Sequence, residues 1–206
     1  MVERAGCPVT PLPRLAILLS GRGSNMEAIV REVQGGILQG VCEVAVVVSN
    51  EPEAAGLGVA DALGVPTIVE PSRGRPRSAF GEALLEALDP FSPDLLVLAG
   101  FMLVLPPGVV RAYAHRIVNI HPADTRLHRG LHGYAWAWEN QLPETRITVH
   151  WVDEGLDTGP VIAQAPVDLR QARDLAEVER RGLAVEHRFY SEVLRGLFTG
   201  TGSRSD

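Results

Sequence analysis

Lysine is absent from this chain, and all 19 of its basic residues are arginine. Arginine standing everywhere in lysine's place reads as a GC-rich genome rather than as a mechanism. Cysteine is nearly absent too. Cys7 and Cys42 lie far apart, in no CxxC pattern, so they form no disulfide framework. They fit a reducing cytoplasm and a structural role. Apolar runs are of strand length, far short of the ~20 residues that cross a bilayer, so no membrane partner is expected. Met1 to Pro13 has charges and prolines but no apolar core, which excludes a signal peptide. A net charge of −6 and a pI near 5.5 argue against a nucleic-acid surface. The local arginine groups (Arg73, Arg75 and Arg77; Arg126 and Arg129; Arg180 and Arg181) remain suited to small anions. No repeat or low-complexity stretch occurs, no Pro/Gly-rich linker divides the chain, and no serine sits in a G-x-S-x-G elbow, so acyl-enzyme chemistry is not indicated.

What is present is an alternation of buried-type strands and helices. Apolar runs at Leu15–Leu19, Val44–Val48, Thr67–Val69, Leu95–Ala99 and Ile117–Ile120 are each followed by a helical pattern, near 25–33, 54–63, 78–88, 107–114 and 134–139. Strands apolar on both faces belong to a parallel sheet covered on both sides. The expected fold is therefore α/β, a Rossmann-like, doubly wound, mostly parallel sheet with helices on both faces. Beyond residue 145 the pattern changes. Ile147–Val152 and Val161–Leu169 read as two C-terminal antiparallel strands, and Asp174 caps a long C-terminal helix reaching Phe198. The expected organisation is a flexible extension over 1–14, one domain over 15–198 and a flexible tail over 199–206.

Three segments carry chemistry. Ser20-Gly21-Arg22-Gly23-Ser24-Asn25 lies where the first strand hands over to the first helix, and the helix N-terminus there offers free N–H groups to an anion. Ser24 and Asn25 could cap the helix or donate to the same phosphate. A monophosphate site and a plain tight turn both fit. A dinucleotide site fits less well, because Met26 stands at the third glycine position of G-x-G-x-x-G. Asn119 and His121, two apart on a strand, share a face at its C-terminal end, where open α/β sheets bind ligands. Asp157, in Gly155–Pro160, occupies a tight connection whose glycines permit positive φ. A carboxylate close to His121 would favour imidazolium and raise its pKa. Asn119, His121 and Asp157 together suit a transition state with negative charge growing on a carbonyl oxygen. A zinc site built on His121, His128 and His132 is disfavoured by Arg126, Arg129 and Gly130, and no metal is expected. His115, His150 and His187 carry no motif.

These motifs, with Leu98-Ala99-Gly100-Phe101-Met102 and Leu156-Asp157-Thr158-Gly159-Pro160-Val161-Ile162, resemble the phosphoribosylglycinamide formyltransferase family from about Leu15 to Phe198. The resemblance implies transfer of the formyl group of 10-formyltetrahydrofolate to the amine of glycinamide ribonucleotide, a cytoplasmic step of purine synthesis, by a monomer or homodimer. It implies catalytic roles for Asn119, His121 and Asp157, and phosphate contacts from Gly23, Ser24 and Asn25. Glu186 matches a carboxylate that binds ribose hydroxyls. Arg77, Met102, Leu103, Val104, Leu105 and Asn119 match folate contacts, and Thr148 a small hydroxyl residue near the reacting centre. The chain departs from the family at Ala123–Gly130, where Ser-Leu-Leu-Pro is usual after His-Pro, at Leu103, where arginine is common, and at Leu183. A formyltetrahydrofolate hydrolase or a sugar-amine formyltransferase of the same fold is the alternative. Their usual extra N- or C-terminal domains are not expected in a chain with about fourteen residues before its first strand and one helix at its end.

Overall fold

The computed structural model describes residues 11–200. Residues 1–10, with Cys7, and 201–206 lie outside the described residues, and with them most of the expected extension and tail. Strands β1 (Arg14–Leu19), β2 (Glu43–Ser49), β3 (Thr67–Val69), β4 (Leu95–Leu98), β5 (Ile117–His121), β6 (Glu144–Trp151) and β7 (Val161–Asp168) make one sheet. Its order is β3-β2-β1-β4-β5-β6-β7. The first five strands pair in parallel, and β6 and β7 are added antiparallel. The doubly wound sheet, its two antiparallel additions and its long last helix agree with expectation, with element ends moved by one to three residues. The largest shift is at β6, which starts early because Glu144, Thr145 and Arg146 are carried into the ladder by β7.

The helices are α1 (Ser24–Gly35), α2 (Ala55–Ala62), α3 (Arg77–Leu88), α4 (Pro107–Ala112), α5 (Gly133–Glu139) and α6 (Leu175–Thr199). On one face of the sheet α1, α2, α5 and α6 bury their apolar sides, and on the other α3 and α4 do. In α1 the stripe is Met26, Ile29, Val30 and Val33, at helical spacing. Asp174 caps α6 by accepting the Glu177 N–H at 2.8 Å, and Gly200 closes the helix in the left-handed region at φ 70°. Cys42 is buried, and burial pushes its thiol up to about 12, so it stays protonated and unreactive at neutral pH.

Tyr190 of α6 is fully buried, and its hydroxyl donates to the carbonyls of Leu98 at 3.0 Å and Val118 at 3.2 Å. It therefore pins the last helix to the two central strands that carry the candidate site. Tyr190→Phe is expected to lower unfolding free energy by about 1–2 kcal/mol, the cost of a buried hydrogen bond left unmade. Urea denaturation checks this, and an unchanged midpoint would remove the pin from the account.

Candidate active site

Two crossovers set the position of the site. Strand β1 lies between β2 and β4, so the chain winds outward from β1 in both directions. A crevice opens at the C-terminal ends of β1 and β4, as in other open α/β sheets. The turn after β1 and the loop after β4 are tied together there. The Ser20 N–H donates to Gly100 O at 3.0 Å, and the Met102 N–H donates to the Ser20 hydroxyl at 2.8 Å.

In the turn, Gly23 is the N-cap of α1 at φ 78° and no side chain caps the helix. Capping by Ser24 or Asn25 is therefore not observed. Ser24 already lies within the first turn, and the Asn25 amide is turned to Glu186 on α6. Gly23 is required for a second reason: a Cβ on it would meet the Gly56 Cα at 2.8 Å, so α2 crosses the turn backbone to backbone. Met102 and Val104 stand exposed in the loop after β4. Arg77 donates to Leu105 O at 2.6 Å, which holds that loop to the start of α3.

Asn119 and His121 project from β5 on the face that α3 and α4 cover further back. Strand β6 continues this face, with His150 opposite Asn119 and Thr148 opposite His121. Helix cover ends here, and the 152–160 loop folds back over the polar patch instead. Asp157 enters from that loop. Its Oδ2 lies 3.5 Å from His121 Nδ1 and accepts the Gly130 N–H at 2.8 Å. Its Oδ1 accepts from the Asn119 amide at 3.3 Å and lies 3.4 Å from His150 Nε2. The positive φ of this loop falls on Asp157 itself, at 50°, a conformation aspartate tolerates better than most residues. The glycines serve close approach rather than positive φ: a Cβ on Gly159 would stand 1.8 Å from Trp151 O.

His150 completes the group, although no sequence motif marks it. It is buried at 2% exposure, and its Nδ1 lies 2.8 Å from Trp151 O. That contact assigns the proton to Nδ1 and leaves Nε2 to accept the Asn119 amide at 3.2 Å. Both Asn119 amide hydrogens therefore have partners in the free protein.

The loop after β5 closes over the imidazole. Its anchor is Thr148, whose hydroxyl donates to Ala123 O at 2.7 Å and accepts from Gln164 at 2.9 Å. His121 Nε2 lies 3.2 Å from His128 O. The His128 ring stacks between His121 and Trp136, at centroid separations of 6.2 and 4.9 Å. Asp124 is buried within the loop, and the hydrogen bonds from Arg126 hold its carboxyl well below the usual range.

Enclosure reverses one expectation. His121 is 4% exposed, and this burial pushes its pKa below the ordinary value, with the Asp157 carboxylate and the His128 carbonyl opposing. The ring is therefore neutral at pH 7 in the free protein rather than held as imidazolium, because desolvation outweighs the neighbouring charge. For Asp157, burial raises the carboxyl, but the Gly130 N–H and the histidine rings beside it bring it down to about 2. Glu186 is 5% exposed and bonded to Tyr134 and Asn25. Burial pushes its carboxyl up against both donors. Among the described residues no group of three or more His, Cys, Asp or Glu could hold a metal ion, and no helix is long and apolar enough to cross a membrane.

A carbonyl-directed acid–base group at the switch point of a doubly wound sheet fits an acyl or formyl transfer enzyme. The formyl transferase family matches residues 13–194, and the chain belongs to it. It is similar to the phosphoribosylglycinamide formyltransferase of Bacillus subtilis, 32% identical over 196 residues that cover 95% of this chain and 99% of the relative. The enzyme of that name from Escherichia coli is 36% identical over 187 residues, covering 90% of this chain and 87% of its own length. Among solved structures, glycinamide ribonucleotide transformylase 1 from Symbiobacterium toebii superposes with a TM-score of 0.87 at 36% identity, over 92% of this chain and 89% of that one.

Proposed function

We propose that this chain transfers the formyl group of 10-formyltetrahydrofolate to the primary amine of glycinamide ribonucleotide. The products are formylglycinamide ribonucleotide and tetrahydrofolate, and a cytoplasmic location suits such a step. The observation that carries the reading is the convergence of Asn119, His121, His150 and Asp157 within hydrogen-bond reach beside the switch-point crevice.

The amine nitrogen attacks the formyl carbon, and the carbonyl pair moves onto oxygen. Asn119 stabilises that oxygen by redirecting one of the N–H groups it now spends on Asp157 and His150. His121, neutral at rest, takes the proton that the amine must lose. Collapse of the intermediate breaks the bond from the formyl carbon to N10, and His121 returns the proton to N10. Asp157 stabilises the imidazolium between those events. In the free protein His121 Nε2 carries the hydrogen that meets the His128 carbonyl. When substrate binds, the Ala123–Gly130 loop yields that contact and the ring hydrogen moves to Nδ1 beside Asp157, which leaves Nε2 to take the amine proton.

Binding follows the same geography. Backbone N–H groups of Gly23, Ser24 and Asn25 at the start of α1 take the substrate phosphate, with exposed Arg22 alongside, and Glu186 takes the ribose hydroxyls. The exposed apolar side chains of Met102 and Val104, the backbone of Met102 to Leu105 and the pinning Arg77 form the folate side, and Asn119 faces both substrates.

The test is a spectrophotometric assay of 10-formyltetrahydrofolate consumption with glycinamide ribonucleotide present or omitted. Consumption is expected only with the amine present. Tetrahydrofolate formed at the same rate without it would assign a hydrolase instead.

A further inference from the structure

Helix α6 carries a glycine, Gly182, in its middle, where glycine weakens a helix. The neighbouring Tyr134 of α5 accounts for it. A Cβ on Gly182 would come within 2.1 Å of Tyr134 Cε1 and 2.3 Å of its phenolic oxygen. The ring lies in the notch that the missing side chain leaves. One turn further along α6 its hydroxyl donates to Glu186 Oε1, while the Asn25 amide donates to Oε2. Glu186 thus sits buried on the inward row of α6 between Gly182 and Tyr190, held by two neutral donors from two other helices.

A carboxylate has room for about four hydrogen bonds, and among the described residues two are taken here. Asn25 Oδ1, on a side chain 8% exposed, has no hydrogen-bond partner among the described residues. The vacant capacity is therefore all acceptor, and it adjoins the phosphate-type turn at the start of α1. A ligand that presents neighbouring hydroxyl donors a short distance from a phosphate matches it.

We infer that Tyr134 is a positioning residue for sugar selection: seated on Gly182, its phenol fixes the Glu186 carboxylate so that the free lone pairs meet a vicinal diol, favouring ribose over 2-deoxyribose. This rests on the proposed binding of a ribonucleotide at Glu186. Sites built to bond a hydroxyl discriminate strongly against analogues lacking it, because their own polar groups are left unpaired.

The test is steady-state kinetics of Tyr134→Phe with glycinamide ribonucleotide and its 2′-deoxy analogue. Expected are a rise in KM for the ribonucleotide of about 10-fold, the loss of one hydrogen bond to a charged group, and kcat within about two-fold. The preference for ribose in kcat/KM should fall by at least about five-fold. Gly182→Ala, which expels the ring from its notch, should reproduce the rise in KM and the lost preference with Tyr134 intact. Thermal unfolding of both variants shows that they are folded. A lowered Tm with KM and sugar preference unchanged would make the contact merely structural and overturn the inference. Glu186→Gln separates the two levels. If it raises KM while Tyr134→Phe does not, the diol reading stands and the role of Tyr134 falls. If Glu186→Gln leaves KM and preference alone, the diol reading falls and takes the inference with it.

Discussion

Replacing His121 by alanine is expected to lower turnover about 10³–10⁴-fold while the affinity for either substrate stays within a few-fold. The magnitude follows from the lack of a substitute. Formyl transfer must remove one proton from the attacking nitrogen and deliver one to the leaving nitrogen. Asn119 has no proton to exchange. Asp157, held at about 2, is ionised at every pH of interest and cannot act as the acid. The Nδ1 proton of His150 is committed to the Trp151 carbonyl. His121 is the remaining group, and its burial, which disfavours the charged form, leaves it free to accept a proton at neutral pH. On the proposed binding geometry affinity is set elsewhere, at the turn after β1, at Glu186 and at the loop after β4, so KM should move little. Steady-state kinetics with calorimetric binding checks both halves, and thermal unfolding checks the cavity left by a ring that is 4% exposed. Turnover within ten-fold of the unaltered protein would sink the assignment.

Much of the scaffold is legible along the chain because each signal is local. Val46, Val47 and Val48 are buried on both faces and could only belong to a covered parallel strand. The period of two in a strand put Asn119 and His121 on one face, and the glycine-bounded loop marked Asp157 as a candidate. His150 was not legible. It becomes a site residue only through the antiparallel register that sets it opposite Asn119, and no spacing within β6 states that register. Tyr134 and Glu186 are separated by 52 residues and meet only because α5 docks on the Gly182 notch. A single acidic residue on the apolar row of α6 was the available clue. The sign of the His121 shift was hidden for a different reason. Proximity of a carboxylate predicts a rise, whereas the outcome depends on how completely the Ala123–Gly130 loop excludes water, which is a property of the closed structure. That loop supplies the His128 carbonyl and the Gly130 N–H to the two central residues.

Asp157→Asn carries the second large expectation, a fall in turnover of about 10²–10³-fold accompanied by a defined change in pH dependence. Opposite charges about 3.5 Å apart attract by roughly 4–5 kcal/mol at an effective dielectric near 20. Desolvation of the ring outweighs that attraction, hence the depressed His121 pKa, but the desolvation stays in place when the Asp157 charge is removed. The attraction acts only when the ring is charged, midway through proton transfer, which places the loss in kcat. The asparagine keeps the size of the side chain, and its carbonyl can still accept the Gly130 N–H, so the fold is retained. The direction of the titration follows from the same charge. Asp157 pulls the His121 pKa upward against desolvation, so its removal lowers that pKa further. Because the neutral ring accepts the proton, kcat/KM falls on the acid side as pH drops through the His121 pKa, and in the variant this limb moves to lower pH. The limb cannot come from Asp157, whose carboxyl at about 2 is ionised throughout. Proton NMR of the imidazole and the pH–rate profile should shift together. A His121 titration left unmoved, or moved upward, would refute the coupling between the two residues even if turnover fell.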